Sequence, residues 1–256
     1  MSKALVGHTG FVGATLNASD HFTHLFNSRN FREMVGEEYD EVVCAGISAV
    51  KWKANKEPEK DLGSIQTLLD VLATVKAKRF TLISTIDVYP QSDAGVNEDY
   101  VVSPDLLQPY GRHRLLVENF VKETFEKTLV VRLPGLYGVG LKKNIIFDLM
   151  SGNETEKINP ATALQWYPTY RLSSDIRIAW KAGLEIANLF PAPIETADII
   201  QGLFSHVKTA SPELPAARYN ICTRNAAVFG GKGQYIMDAS EAYKQLEFFV
   251  KQAGTK

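Results

Sequence analysis

One short stretch constrains this chain more than any other. Gly7-His8-Thr9-Gly10-Phe11-Val12-Gly13 follows the apolar run Ala4-Leu5-Val6 and opens a segment of helical spacing. Glycines set between a strand and a helix let the chain turn sharply and let its backbone approach a pyrophosphate closely. They also leave helix N-terminal amides pointing at the negative charge. Those are the demands of a dinucleotide-binding turn, here spaced G-x-x-G-x-x-G rather than the commoner G-x-G-x-x-G. The placement predicts that Gly7, His8, Thr9, Gly10, Phe11, Val12 and Gly13 line a cofactor, with Ala45 and Gly46 joining them beyond the third strand.

The rest of the first half supports a fold around such a turn. Short apolar runs at 4–6, 23–27, 41–45, 80–84 and 129–132 alternate with helical patterns near 11–18, 61–75 and 111–125. In Leu62, Ile65, Leu68, Leu69 and Leu72 the apolar positions step by three and four, marking one buried helix face. Strand–helix alternation predicts an α/β fold, a Rossmann-type doubly wound parallel sheet covered by helices. The second half is less regular, with Pro160, Pro168 and aromatic clusters, and closes on a helical stretch about 240–252. The expected division is a Rossmann domain over 1–138 plus about 175–204. A small C-terminal substrate-binding cap, not a separate folding unit, takes about 139–174 and 205–256.

Composition narrows the class. The chain has 256 residues, 45% of them apolar, enough for one filled core or two modest ones at roughly 150 residues per domain. With 28 basic and 29 acidic side chains, it lacks the basic excess of a nucleic-acid binder. No apolar run approaches the ~20 residues of a membrane-spanning helix. The start runs straight into the glycine turn, leaving no room for a signal peptide, so a cytoplasmic protein is expected. Cys44 and Cys222 make neither a disulfide framework nor a zinc site and are expected as buried thiols. No phosphate-loop lysine, zinc helix or nucleophile elbow is present, and His21 and His24 read as surface residues, so no metal is expected.

Four further stretches, with the glycine turn, carry a family resemblance. Asp61-Leu62-Gly63-Ser64 resembles a helix start written Asn-Val-x-Gly-Thr, and Ile83-Ser84-Thr85-Ile86-Asp87-Val88-Tyr89 a strand end written Ser-Ser/Thr-x-x-Val-Tyr-Gly. Pro109-Tyr110-Gly111-Arg112-His113-Arg114 falls where Tyr-Gly-x-Ser-Lys is the pattern, and Arg132 to Gly140 is similar to Arg-Pro-x-x-Val-Tyr-Gly-Pro-Gly. These motifs, in this order, resemble the extended short-chain dehydrogenase/reductases, the NAD(P)-dependent nucleotide-sugar epimerase/dehydratase group. The likeness is close over about 3–140 and thin beyond, with Tyr219-Asn220-Ile221 as a late echo. It implies an oxidoreductase, epimerase or dehydratase acting on a hydroxyl of a sugar or nucleotide sugar. It also implies a homodimer paired through the helices near 61–75 and 110–125.

Cofactor choice turns on the end of the second strand. There an acidic residue would select NAD, and an arginine can hold the 2′-phosphate of NADP. This chain has Asn27-Ser28-Arg29-Asn30 and no carboxylate until Glu33. NADP is therefore expected, with NAD as the other candidate, and Ser28, Arg29 and Asn30 as its phosphate ligands.

The resemblance also assigns chemistry. Tyr110 corresponds to the general base, and Thr85 to the hydroxyl that holds the substrate oxygen. Arg114 stands where the family has the lysine that lowers the tyrosine pKa and touches the nicotinamide ribose. Arginine is cationic but longer and planar, so the exchange is not conservative. Two readings stay open: a working enzyme with retuned geometry, or a non-catalytic NADP-binding sensor or regulatory protein on the same fold. Asp87 corresponds to the dehydratases' catalytic glutamate and would either move protons at the sugar ring or bond local amides. Asn144, with Lys142 and Lys143, and Arg171 are the candidate substrate ligands.

Overall fold

The computed structural model describes residues 1–90, 95–210 and 216–253. In chain order the elements are β1 Lys3–Val6, α1 Phe11–Ser19, β2 His24–Phe26, β3 Glu38–Cys44, α2 Lys51–Lys56, α3 Pro58–Leu72, β4 Lys76–Thr85, α4 Pro109–Thr124 and β5 Thr128–Leu133. Then come β6 Gly135–Tyr137, α5 Ile145–Ser151, β7 Ala163–Leu164, β8 Trp166–Pro168, α6 Leu172–Lys181, β9 Ile186–Asn188, β10 Ile194–Glu195, α7 Thr196–Leu203 and α8 Ala239–Ala253. They fall into two compact units: Met1–Pro90, Val101–Leu133 and Leu172–Ala187, then Gln91–Tyr100, Pro134–Arg171 and Asn188–Lys256. Residues 188–204, assigned by sequence to the cofactor half, cluster with the second unit. Residues 211–215 and 254–256 of the expected cap lie outside the described residues.

The first unit is built on a sheet ordered β2-β1-β3-β4-β5-β9. The β2–β1, β1–β3, β3–β4 and β4–β5 pairings are all parallel. The expected Rossmann-type, doubly wound sheet is what forms. The chain leaves β1 through α1 to β2 on one side, then returns past β1 to β3 on the other. The order reverses at the carboxyl ends of β1 and β3, where open α/β sheets bind their ligands. One face of the sheet is covered by α3 and α4, whose Ile65, Leu68, Leu69, Leu72, Val117 and Val121 pack on Val42, Phe80 and Val130. Helix α3 begins earlier than its apolar period suggests. Pro58 suits a first helical position, and Glu59 and Asp61 favour the positive end of the helix dipole. Leu62, expected on the buried stripe, is exposed.

A buried ion pair ties α4 to the sheet. Arg132 on β5 donates to both carboxylate oxygens of Glu118, from Nε at 3.0 and 3.2 Å and from Nη2 at 2.6 Å. Ser84 on β4 donates to the same carboxylate at 2.5 Å, and Arg132 Nη1 reaches the Tyr89 hydroxyl at 2.6 Å. With every one of these charges and hydroxyls partnered, their burial is tolerable. The network fixes the amino-terminal half of α4 against the end of β4.

In the second unit β6 pairs parallel with β8, and β7 antiparallel with β10. Its core holds Tyr137, Trp166, Tyr167 and Phe190, all buried. Gln165 joins it internally, donating to the carbonyls of Pro191 and Ile221 and accepting from the Ile221 amide. Cys44 and Cys222 are buried free thiols, as expected.

Candidate functional site

The glycine turn closes against the switch point. Gly7 has φ +87°, and a Cβ there would lie 2.4 Å from the Ala45 carbonyl oxygen and 2.7 Å from Gly46 Cα. A Cβ on Gly13 would lie 2.0 Å from the Gly7 carbonyl oxygen. The ends of β1 and β3 and the start of α1 therefore meet backbone to backbone, which side chains at these positions would prevent. Helix α1 starts from Gly10 with no side-chain cap and no acidic residue in its first turn. Its first amides are left for an external anion. This donor set fits a dinucleotide pyrophosphate. Thr9, Gly10 and Gly46 are exposed, while His8, Phe11, Val12 and Ala45 are half-buried. His8 Nε2 meets the Asn27 amide at 3.1 Å, bracing the turn against the end of β2.

Beyond β2, Ser28 and Arg29 are exposed. Asn30 is tied into its own turn: its amide donates to the Leu25 carbonyl at 3.0 Å, and its oxygen accepts from the Asn27 amide at 2.8 Å. Of the three expected phosphate ligands, Arg29 and Ser28 face solvent and Asn30 mainly shapes the loop that presents them.

The catalytic candidates lie at the carboxyl end of β4 and the first turn of α4. A Cβ on Gly111 would sit 1.9 Å from the Asp87 carbonyl oxygen, so the start of α4 abuts the backbone just after Thr85. That contact brings Tyr110 beside Thr85 and explains why glycine follows the tyrosine. The Tyr110 amide also donates to Asn55 Oδ1 at 2.9 Å, fixing the helix start to α2. Burial pushes the Tyr110 phenol up, and Asp87 adds to this. The Arg114 charge, a side-chain hydrogen bond with Thr85 and the Lys51 charge oppose it, leaving the phenol above its usual value.

Arg114 does not occupy the place expected of the family's lysine. Its guanidinium lies 3.9 Å from the centre of the Tyr110 ring. Nη1 donates to Asp61 Oδ2 at 2.5 Å and the Tyr110 carbonyl at 3.2 Å; Nη2 donates to the Ser48 carbonyl at 2.5 Å and Asp61 Oδ1 at 3.0 Å. These bonds leave Nε, which is buried without a partner. His113 Nδ1 meets Asp61 Oδ2 at 2.8 Å. The physical reason is Asp61 itself. A carboxylate in α3 attracts a bidentate guanidinium, and the resulting fork holds Arg114 against the protein rather than toward a ribose. Sequence inspection met Asp61 and Arg114 as two separate departures from the family pattern, Asp for Asn and Arg for Lys. Their simultaneous occurrence was the signal that they are partners.

Asp87 is likewise held. Its Oδ1 accepts from Lys51 Nζ at 2.6 Å, and its Oδ2 accepts from the Thr85 hydroxyl at 3.3 Å. Its own amide donates back to Thr85 Oγ1 at 3.2 Å. Lys51, Asn55 and Ser48 were not singled out in the sequence. They lie just beyond β3, at the ligand-binding end of the sheet, where no hydrophobic period marks them.

In the second unit Asn144 caps α5. Its Oδ1 accepts from the Phe147 amide at 3.0 Å, and its Nδ2 donates to the Leu136 carbonyl at 2.8 Å, on a backbone with φ 133°. Arg171 donates to the Phe229 carbonyl at 3.2 Å. Both expected substrate ligands thus hold their own unit together. Among the described residues no group of three or more His, Cys, Asp or Glu side chains is placed to hold a metal ion, and no helix is long and apolar enough to cross a membrane.

Comparison with known proteins agrees with this architecture. The sequence model of the NAD dependent epimerase/dehydratase family matches residues 19–157, more than half of the chain. No curated protein matches it by sequence. Among solved structures, a dTDP-4-dehydrorhamnose reductase from Clostridium acetobutylicum is similar at TM-score 0.73 and 16% identity, over 99% of both chains. The same enzyme from Bacillus anthracis, in complex with NADP, gives 0.74 and 17%, over 98% of this chain and 100% of that one. A UDP-N-acetylglucosamine 4-epimerase from Methanobrevibacter ruminantium gives 0.75 and 13%, over 99% and 98%. At these identities the likeness is one of fold.

Proposed function

The chain belongs to the NAD dependent epimerase/dehydratase family, and on that premise we propose that it is an NADP-dependent oxidoreductase of the epimerase, dehydratase or reductase type, acting on a hydroxyl of a nucleotide sugar. The observation that carries this reading is the Tyr110 phenol set beside the Thr85 hydroxyl and over the Arg114 guanidinium, at the ligand-binding end of the sheet. The amides of the glycine turn would hold the pyrophosphate, Arg29 and Ser28 the 2′-phosphate, and Ala45 and Gly46 would border the adenosine. When bound, the nicotinamide supplies or accepts the hydride.

The chain's own part is the proton. Thr85 orients the substrate oxygen, and Tyr110 takes its proton as the carbon–hydrogen bond breaks, or returns one in the reducing direction. Arg114 favours the phenolate through the ring face without touching substrate. The bound NADP of the Bacillus anthracis reductase and the nucleotide-sugar reductases and epimerases among the structural neighbours support the choice of cofactor and substrate class.

The test has two parts. NADP and NAD binding are followed by fluorescence in the wild type and in Arg29→Ala, which should weaken NADP by about 10-fold or more and leave NAD little changed. Turnover is then assayed against dTDP- and UDP-sugars and their keto forms, with Tyr110→Phe as the control. Failure to bind either cofactor refutes the reading. A second reading, a cofactor-binding protein without turnover, is favoured by the raised Tyr110 phenol. Turnover that vanishes in Tyr110→Phe excludes it.

A further inference from the structure

A tyrosine that acts as a base must give up its own proton in every cycle, and Tyr110 is buried. A lysine one turn along the helix could exchange that proton. Arg114 cannot, because a guanidinium does not deprotonate in proteins, and its Nη groups are already bonded to Asp61, Ser48 and the Tyr110 carbonyl. The proton therefore needs another way out.

On the other side of the phenol stands Thr85, and beyond it lies a continuous polar path. The Thr85 hydroxyl donates to Asp87 Oδ2 at 3.3 Å, and Asp87 Oδ1 accepts from Lys51 Nζ at 2.6 Å. Side-chain exposure rises along the path, from 17% at Asp87 to 42% at Lys51. A lysine paired with a carboxylate at a solvent edge can both give and take a proton, and a hydroxyl passes one by accepting at one lone pair while donating its own hydrogen.

We infer that Tyr110, Thr85, Asp87 and Lys51 form a proton relay from the buried phenol to solvent, in place of the proton exchange that Arg114 cannot provide. The inference rests on Tyr110 as the base of the proposed reaction. The Tyr110 hydroxyl proton passes to Thr85 Oγ1 as the Thr85 proton moves to Asp87 Oδ2. The Lys51 ammonium releases one proton to water and is reprotonated from Asp87. One O–H bond is lost, at Tyr110, and one proton reaches solvent. Thr85, Asp87 and Lys51 end as they began. The phenolate then accepts the substrate's proton, and the reverse sequence serves reduction. Asp87 is thus a link between Thr85 and Lys51 rather than an acid aimed at the sugar ring, and Lys51 is a positioning residue that acts through it.

The relay can be read without substrate or cofactor. Protein labelled with ζ-13C tyrosine is placed in equal H2O and D2O, and the Tyr110 resonance is identified by its loss in Tyr110→Phe. Rapid hydroxyl exchange gives one averaged line, and slow exchange splits it into protonated and deuterated forms. The wild type should show one line. Asp87→Asn, which keeps the shape, and Lys51→Arg, which keeps the charge and the ion pair, should each show two. A merely structural role for Lys51 would be rescued by arginine, and Lys53→Met on the same helix should leave the line averaged. A split line in the wild type, or an averaged one in either Asp87→Asn or Lys51→Arg, overturns the relay. Loss of NADP binding or of turnover would instead count against the proposed function, since neither enters this measurement.

Discussion

Replacing Asp61 by alanine strips the anion from a buried guanidinium. The Asp61 and Arg114 side chains are 6% and 4% exposed. The carboxylate takes two bonds from Arg114, at 2.5 and 3.0 Å, and meets His113 Nδ1 at 2.8 Å. Breaking one side of such a pair costs about 3–5 kcal/mol, because the remaining charge is left uncompensated. At ~2–4 °C per kcal/mol for a chain of this size, the melting temperature should fall by ~6–20 °C. Arg114→Met should cost a similar amount. The double variant Asp61→Leu/Arg114→Met should recover most of the loss, since an apolar pair of like volume is often neutral against an ion pair. Thermal and urea unfolding by circular dichroism, closed into a double-mutant cycle, measures the coupling. Coupling below about 0.5 kcal/mol, the scatter of independent sites, would refute the picture of Arg114 as Asp61's locked partner. The pair also predicts a pH dependence. Burial alone would raise the Asp61 carboxyl, but the hydrogen bonds and charges of Arg114 and His113 outweigh it and hold the group below its ordinary 3.8. The folded value is the lower one, so this stabilisation is present above the unfolded value and is lost as pH falls through the folded one. Asp61→Ala should therefore lose less stability than the wild type below pH 3.8.

Gly111→Ala would press a methyl carbon to 1.9 Å from the Asp87 carbonyl. The start of α4 must shift, lowering stability by about 1–3 kcal/mol in urea unfolding and separating Tyr110 from Thr85, so any Tyr110-dependent activity should go with it. At Asn144, alanine should cost about 1 kcal/mol through the lost cap of α5. Glycine should stay within about 0.5 kcal/mol of wild type, because it suits the φ of 133° that asparagine tolerates poorly. Both are read from urea midpoints, and a glycine variant weaker than the alanine one would contradict the assignment.

The cofactor half was legible because its demands are local. A glycine turn between strand and helix, the alternation of apolar runs and the ordered motifs all act over a few residues, and the sheet they build is the one observed. The strand order, with β1 between β2 and β3, was not written in any one segment, since it depends on which strands pair. The catalytic corner divides the same way. Thr85 and Tyr110 could be named from motif spacing, and their meeting depends on Gly111 lying against Asp87, 24 positions back along the chain. Arg114 shows the limit most clearly. Its charge and its place one turn from Tyr110 can be read from sequence, but its direction is set by Asp61, 53 residues away. Lys51 carried no sequence signal at all, because an isolated lysine beyond a strand has no period and its partner, Asp87, is 36 residues distant. Local backbone geometry and binary patterning determine which elements form and where a pyrophosphate would sit. Which charges face each other, and so which cation clamps and which one can move a proton, is decided by side chains from separate elements meeting in the folded core, where low dielectric makes each pairing strong.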